Sequence, residues 1–123
     1  MTTTTEYLKT AKQLLIDKGW IKGDYARDAD GNRVPAVSSS ATCYCILGAL
    51  KAASHSVDDH TGAMAPLLRC SIVNAINGMH KTNFGADYGI HPWNDDPART
   101  KEEVLAVFDA AIATEEAMEA VHA

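Results

Sequence analysis

The sequence predicts a mainly α domain: a bundle of about four helices, with a short β-hairpin or extended excursion after the first. Three observations carry that prediction. Tyr7, Leu8, Ala11, Leu14 and Leu15 recur at the spacing of one helical face. The run from Cys43 to Leu50 contains no charged residue, the signature of a helix buried on most sides. Thr100-x-x-Glu103 is a capping box, in which the hydroxyl accepts from the Glu103 N–H and the glutamate reaches back to the Thr100 N–H. Val104, Leu105, Phe108, Ala111 and Ile112 form a single stripe behind it.

Taken in order, the first helix is expected from about Thr5 to Lys18. Gly19 suits a left-handed C′ position, with Trp20 folding back on Leu15. Ile21 to Val37 reads as extended chain. Asp30-Gly31 marks a hairpin turn between Tyr25-Ala26-Arg27 and Arg33-Val34, and Pro35 limits the second strand. Ser38, Ser39 and Ser40 offer N-caps for a central helix that contains Cys43–Leu50 and ends near Ala53. Gly48 and Ala49 would let a neighbouring element approach it closely. Ser54 to Gly62 is polar and reads as a loop. A third helix starts around Ala63 to Pro66 and carries Leu68, Ile72, Ala75, Ile76 and Met79, with Asn77-Gly78 as a stop signal. Lys81 to Pro92 reads as a long irregular connection. The last helix starts at the capping box and is expected to fray near Met118, because Glu115, Glu116 and Glu119 carry the wrong charge for a helix C-terminus.

A chain of 123 residues fits one helical domain spanning 1–123, with a modest core. No apolar run is long enough for a membrane span, and Met1–Glu6 lacks the basic and apolar regions of a signal peptide. A cytoplasmic protein is expected. The net charge of −5 and the scatter of the eleven basic residues argue against nucleic acid as partner, since phosphate neutralisation needs clustered cations. Three cysteines, an odd number, do not suggest a disulfide framework.

The residues bear on several chemistries. Asp28-Ala29-Asp30-Gly31-Asn32 resembles a calcium loop, but an EF-hand needs glycine at its sixth position and glutamate at its twelfth. Cys43-x-Cys45 lies in the predicted helix, where residues two apart face different ways, and His55 and His60 lack paired cysteines; no metal is expected. Cys43 in a first turn is the better candidate for a nucleophile, Cys45 looks buried, and no cysteine-hydrolase signature accompanies either. Asp58-Asp59, Asp95-Asp96 and Glu102-Glu103 are sequence neighbours and so point apart on a helix. No catalytic residue and no cofactor is expected.

Trp93-Asn94-Asp95 has two readings. In one it is a structural corner, with Trp93 filling the core edge and the polar pair bonding exposed backbone or capping. In the other it is a recognition patch on a loop, with Trp93 as aromatic anchor supported by Trp20 or Tyr88.

Gly19-Trp20, Tyr25-Ala26-Arg27-Asp28-x-Asp30-Gly31, Cys45-x-x-Gly48-Ala49-Leu50, Trp93-Asn94-Asp95 and Arg99-Thr100-x-x-Glu103-Val104 occur together in this order. The combination resembles domain-of-unknown-function family 6197, short proteins of actinobacteria and bacteriophages. The resemblance covers about Gly19 to Ile112. It implies a small helical intracellular protein, phage-borne or of a mobile element, and carries no activity.

The function expected is therefore a non-enzymatic accessory role, binding a host or phage protein around Trp93, Asn94, Asp95 and Trp20. The alternative is a small-ligand binder or small enzyme with a pocket beside the central helix, lined by Tyr44, Cys45, Trp93, Asn94 and Asp95. A DNA-contacting regulator is disfavoured by charge. Self-association as a homo-oligomer is compatible with the sequence.

Overall fold

Five helices and a two-stranded ribbon follow one another along the chain. The computed structural model describes residues 3–57, 64–85 and 89–122. The elements are α1 (Thr4–Asp17), β1 (Ala26–Arg27), β2 (Cys43–Tyr44), α2 (Ile46–Val57), α3 (Ala65–His80), α4 (Ile90–Asp95) and α5 (Lys101–His122). α1 packs against α2 and α5, and α3 packs against α5. Between them lies one cluster of buried apolar side chains that includes Leu8, Leu15, Ile46, Leu50, Ile72, Ile76, Trp93 and Phe108. Leu47 and Leu105 border it, half-buried. The predicted stripes thus meet in a common core.

Two local expectations hold closely. Thr100 and Glu103 form the reciprocal cap, with Glu103 N–H donating to Thr100 Oγ1 at 3.2 Å and Thr100 N–H donating to Glu103 Oε1 at 3.0 Å. The Asp28–Asn32 segment is a turn closed by its own aspartate, whose Oδ1 accepts from the N–H groups of Asp30 (3.0 Å) and Asn32 (2.8 Å).

The strand pairing differs from the expected local hairpin. A single bridge joins Arg27 to Arg33, but the ribbon itself pairs Ala26 with Tyr44 and Arg27 with Cys43, antiparallel. Pro35, with no N–H, cannot extend the local pair. The Cys43–Cys45 strip also brings apolar burial: Tyr44 and Cys45 are buried. Gly19 has a positive φ of 133°, and its carbonyl accepts from the Tyr44 N–H at 3.0 Å. Trp20 bridges alongside Tyr44 in parallel and packs against the core cluster that holds Leu15.

The central helix accordingly begins later than expected. Cys43 and Tyr44 are strand, and α2 starts at Ile46, with the Cys45 carbonyl accepting the first helical bond from Ala49. The serines at 38–40 form a separate turn, in which Ser38 Oγ and Ser40 Oγ lie 2.8 Å apart. Close approach to Gly48 is as expected: a Cβ there would sit 1.9 Å from the Tyr25 carbonyl oxygen, so only glycine allows this crossing.

α3 runs through Asn77-Gly78 to His80 and is stopped by Lys81, left-handed at φ 53°. Asn77 acts on the exit instead, its Oδ1 accepting from Phe84 N–H at 3.0 Å and from Thr82 Oγ1 at 2.7 Å. α5 continues past Met118 rather than fraying. Each of the three glutamates near its end has a neighbour across the bundle: Ser71 donates to Glu115, Lys9 pairs with Glu116, and Thr5 Oγ1 donates to Glu119 at 2.7 Å. These cross-helix partners oppose the unfavourable end charge, whose effect is about 0.3–1 kcal/mol per group.

Candidate functional site

Trp93, Asn94 and Asp95 lie on a short helix, α4, rather than on a loop, and two of them are enclosed. Trp93 is 2% exposed and Asn94 1%. The Arg99 guanidinium lies 3.8 Å from the Trp93 ring centroid, and His80 meets the same ring edge-on at 5.2 Å. Arg99 Nε also donates to the Trp93 carbonyl at 2.9 Å, and its Nη1 pairs with Glu103 at 3.1 Å. The capping box therefore orients the cation that covers the indole. Trp93 fills the core and is not an exposed anchor; Tyr88, its other expected support, lies outside the described residues.

Asn94 joins three segments. Its Oδ1 accepts from Trp20 Nε1 at 2.7 Å and from the Ile46 N–H, at the start of α2, at 3.1 Å. Its Nδ2 donates to the Ile21 carbonyl at 3.1 Å and to Asp95 Oδ1 at 2.9 Å. Two donors on one side and two acceptors on the other dictate how this amide lies and satisfy it. Asp95 Oδ1 accepts also from the Gly23 N–H at 3.0 Å. The thiol of Cys45 accepts from the Gly48 N–H at 3.3 Å. Burial pushes that thiol above its ordinary pKa, and the nearby Asp95 charge adds to the rise, against the opposing N–H groups of Gly48 and Leu47. Burial also raises the Tyr44 phenol, helped by Cys43.

The six residues singled out from the sequence, Trp20, Tyr44, Cys45, Trp93, Asn94 and Asp95, thus gather around the start of α2. Trp20, Asn94 and Asp95 form a hydrogen-bonded node there, with Tyr44, Cys45 and Trp93 buried around it. Cys43, expected in a helix, donates weakly from strand β2 to the Arg27 carbonyl at 3.8 Å. Among the described residues no three His, Cys, Asp or Glu side chains come close enough to hold a metal. His60, Asp58 and Asp59 lie outside them.

An open cleft lies beside this node. It has a volume of about 590 Å³ and sits between the 23–25 and 33–37 segments on one side and α2 and α4 on the other. Val34, Pro35, Ala36 and Val37 give it an apolar wall; Asp24, Arg33, Lys51 and His91 give it charge or hydrogen bonding. Asp24 is 8% exposed and is paired with Arg27 and with Arg33, the latter at 2.6 Å. His91 Nε2 and the Tyr25 hydroxyl lie 3.3 Å apart, their rings edge-to-face at 5.2 Å. The Tyr25 carbonyl against Gly48 sets the distance of this wall from α2. None of Asp24, Arg33, Lys51 and His91 stood out in the sequence. The available signal was Lys51, a lone charge in the otherwise uncharged turns from Cys43 to Ala53.

The chain belongs to DUF6197. That family of unknown function matches residues 1–114, so the match takes in the whole node, the cleft and most of α5. No curated protein and no solved structure matches the chain. Among the described residues no helix is long and apolar enough to cross a membrane.

Proposed function

We propose that this protein is a non-enzymatic binder of a small ligand, with the cleft between the 33–37 segment and α2 as its site. The observation that carries the reading is concavity with mixed chemistry: about 590 Å³, an apolar wall, and a few polar groups facing it. Ligand sites commonly have this size and make-up. The reading keeps the pocket beside the central helix anticipated from the sequence but moves its lining. Tyr44, Cys45, Trp93 and Asn94 hold the frame, and the described residues facing the cleft come from 23–25, 33–37, Lys51 and His91.

Catalysis has less support. Cys45 is buried with its thiol held neutral, and Asp24 is occupied by two arginines. A protein-binding accessory role has one observation of its own. Leu67 and Met118 line a second, smaller groove between α3 and α5, and they are 56% and 51% exposed.

Amide chemical-shift mapping with a set of small organic probes tests the choice. Saturable shifts confined to residues 23–25, 34, 36, 37 and 51 are expected. Shifts confined to α3 and α5 would move the functional surface to the second groove.

A further inference from the structure

The cleft carries more positive charge than its own chain neutralises. Among the described residues that line it, Asp24 is the single carboxylate. That carboxylate already has two cations, Arg27 and Arg33. Lys51 has no acidic partner among the described residues, and its helix, Ile46–Val57, contains no Asp or Glu at all. On α4, the other helix at the cleft, Asp95 is engaged by Gly23 and Asn94. An unpaired ammonium and a doubly answered carboxylate therefore face one concavity, in a chain whose net charge is −5.

We propose that the cleft takes a small organic anion with an apolar body, its charged group held by Lys51 and Arg33 and its body laid along Val34 to Val37. The inference rests on the cleft being the ligand site. Arg33 suits the role because its side chain is 81% exposed while it touches Asp24. It can turn to an incoming anion while Arg27 keeps Asp24 neutralised, so no buried charge is left alone. An arginine fork and a lysine point charge together suit a carboxylate or a phosphate monoester. A polyanion such as nucleic acid fits poorly: the remaining surface of an acidic chain repels it. The uncharged wall of Val34, Pro35, Ala36 and Val37 contributes binding through buried apolar area, which a bare inorganic anion could not use.

The test is an amide-shift titration of the full chain with phenyl phosphate and, in parallel, with neutral benzyl alcohol. Phenyl phosphate should shift residues 23–25, 34, 36 and 37 saturably and bind at least about tenfold more tightly than the alcohol, the effect of a charge-assisted hydrogen bond. Lys51→Met should weaken the phosphate probe by a similar factor and leave the alcohol unaffected. Lys51→Arg should restore most of the loss. A melting curve of Lys51→Met that matches the parent shows the fold is intact. Equal binding of both probes, or no effect of Lys51→Met, overturns the anion assignment and leaves the cleft as a ligand site. Absence of any shift at 23–25, 34, 36 and 37, or unsaturable shifts spread over surface lysines, overturns both.

Discussion

The node around Asn94 and the cleft around Lys51 are near neighbours with opposite character. The node contains the residues richest in hydrogen-bonding specificity, and its central residue, Asn94, directs all of that capacity inward. Asn94 is 1% exposed and all four of its hydrogen-bonding positions are matched by the chain itself. The cleft contains ordinary residues whose capacity is left over. Lys51 is an unremarkable lysine by sequence, but it faces a concavity with no acidic partner among the described residues. The difference teaches that a conspicuous residue triplet marks where the fold is held, whereas a site for another molecule needs groups that the fold has not satisfied.

Substitution can break this comparison at several points. The largest effect is expected at Trp93. Trp93→Ala removes a buried indole and should cost about 3–5 kcal/mol of stability, read as a fall in the denaturant midpoint. A near-parental midpoint would mean that Trp93 is not part of the core and would reinstate it as a recognition anchor. Next comes Asn94→Ala. It strips partners from the Trp20 indole, the Ile46 N–H and the Ile21 carbonyl, and buried polar groups left unmatched cost about 1–3 kcal/mol each. A loss of about 3 kcal/mol is expected, together with shifted amide resonances at 20–23 and 46. An effect limited to ligand binding, with stability unchanged, would place Asn94 in the site instead of in the frame.

The smallest effect concerns the cap that positions Arg99. Thr100→Ala should lower stability by about 1 kcal/mol. The Thr100 backbone N–H, assisted by the Arg99 charge, holds the Glu103 carboxyl below its usual pKa. A carboxyl lowered in the folded state stabilises the fold above the unfolded pKa. That contribution disappears as pH falls from the ordinary carboxylate range through the lowered folded value. Stability measured against pH should therefore show less acid sensitivity in Glu103→Gln than in the parent. Identical profiles would show that the cap works without the glutamate charge.

Much of the helical architecture was legible because its signals are local. A stripe such as Tyr7, Leu8, Ala11 and Leu15, or a cap such as Thr100 with Glu103, depends on residues one or two turns apart, and these interactions form wherever the helix forms. Close approach at Gly48 was legible for a similar reason, a small residue in an apolar run. Helix ends were less legible. Asn77-Gly78 is a good stop signal, but buried Ile72 and Ile76 and the Phe84 contact of Asn77 carry α3 onward to Lys81. The acidic end of α5 holds because Lys9, Thr5 and Ser71 come from other helices.

By itself, then, the sequence determined the helical class, the stripes that form the core, the capping box and the membership of the family. Tertiary structure alone decided three things: that Ala26-Arg27 pairs with Cys43-Tyr44 rather than chiefly with Arg33-Val34, that Trp93 is inside, and that Arg33, Lys51 and His91 share a cleft. The physical reason is range. Hydrophobic burial and hydrogen-bond satisfaction are settled between segments far apart in the chain, such as Trp20 and Asn94, and whether a side chain is left unpaired depends on every neighbour the fold brings to it.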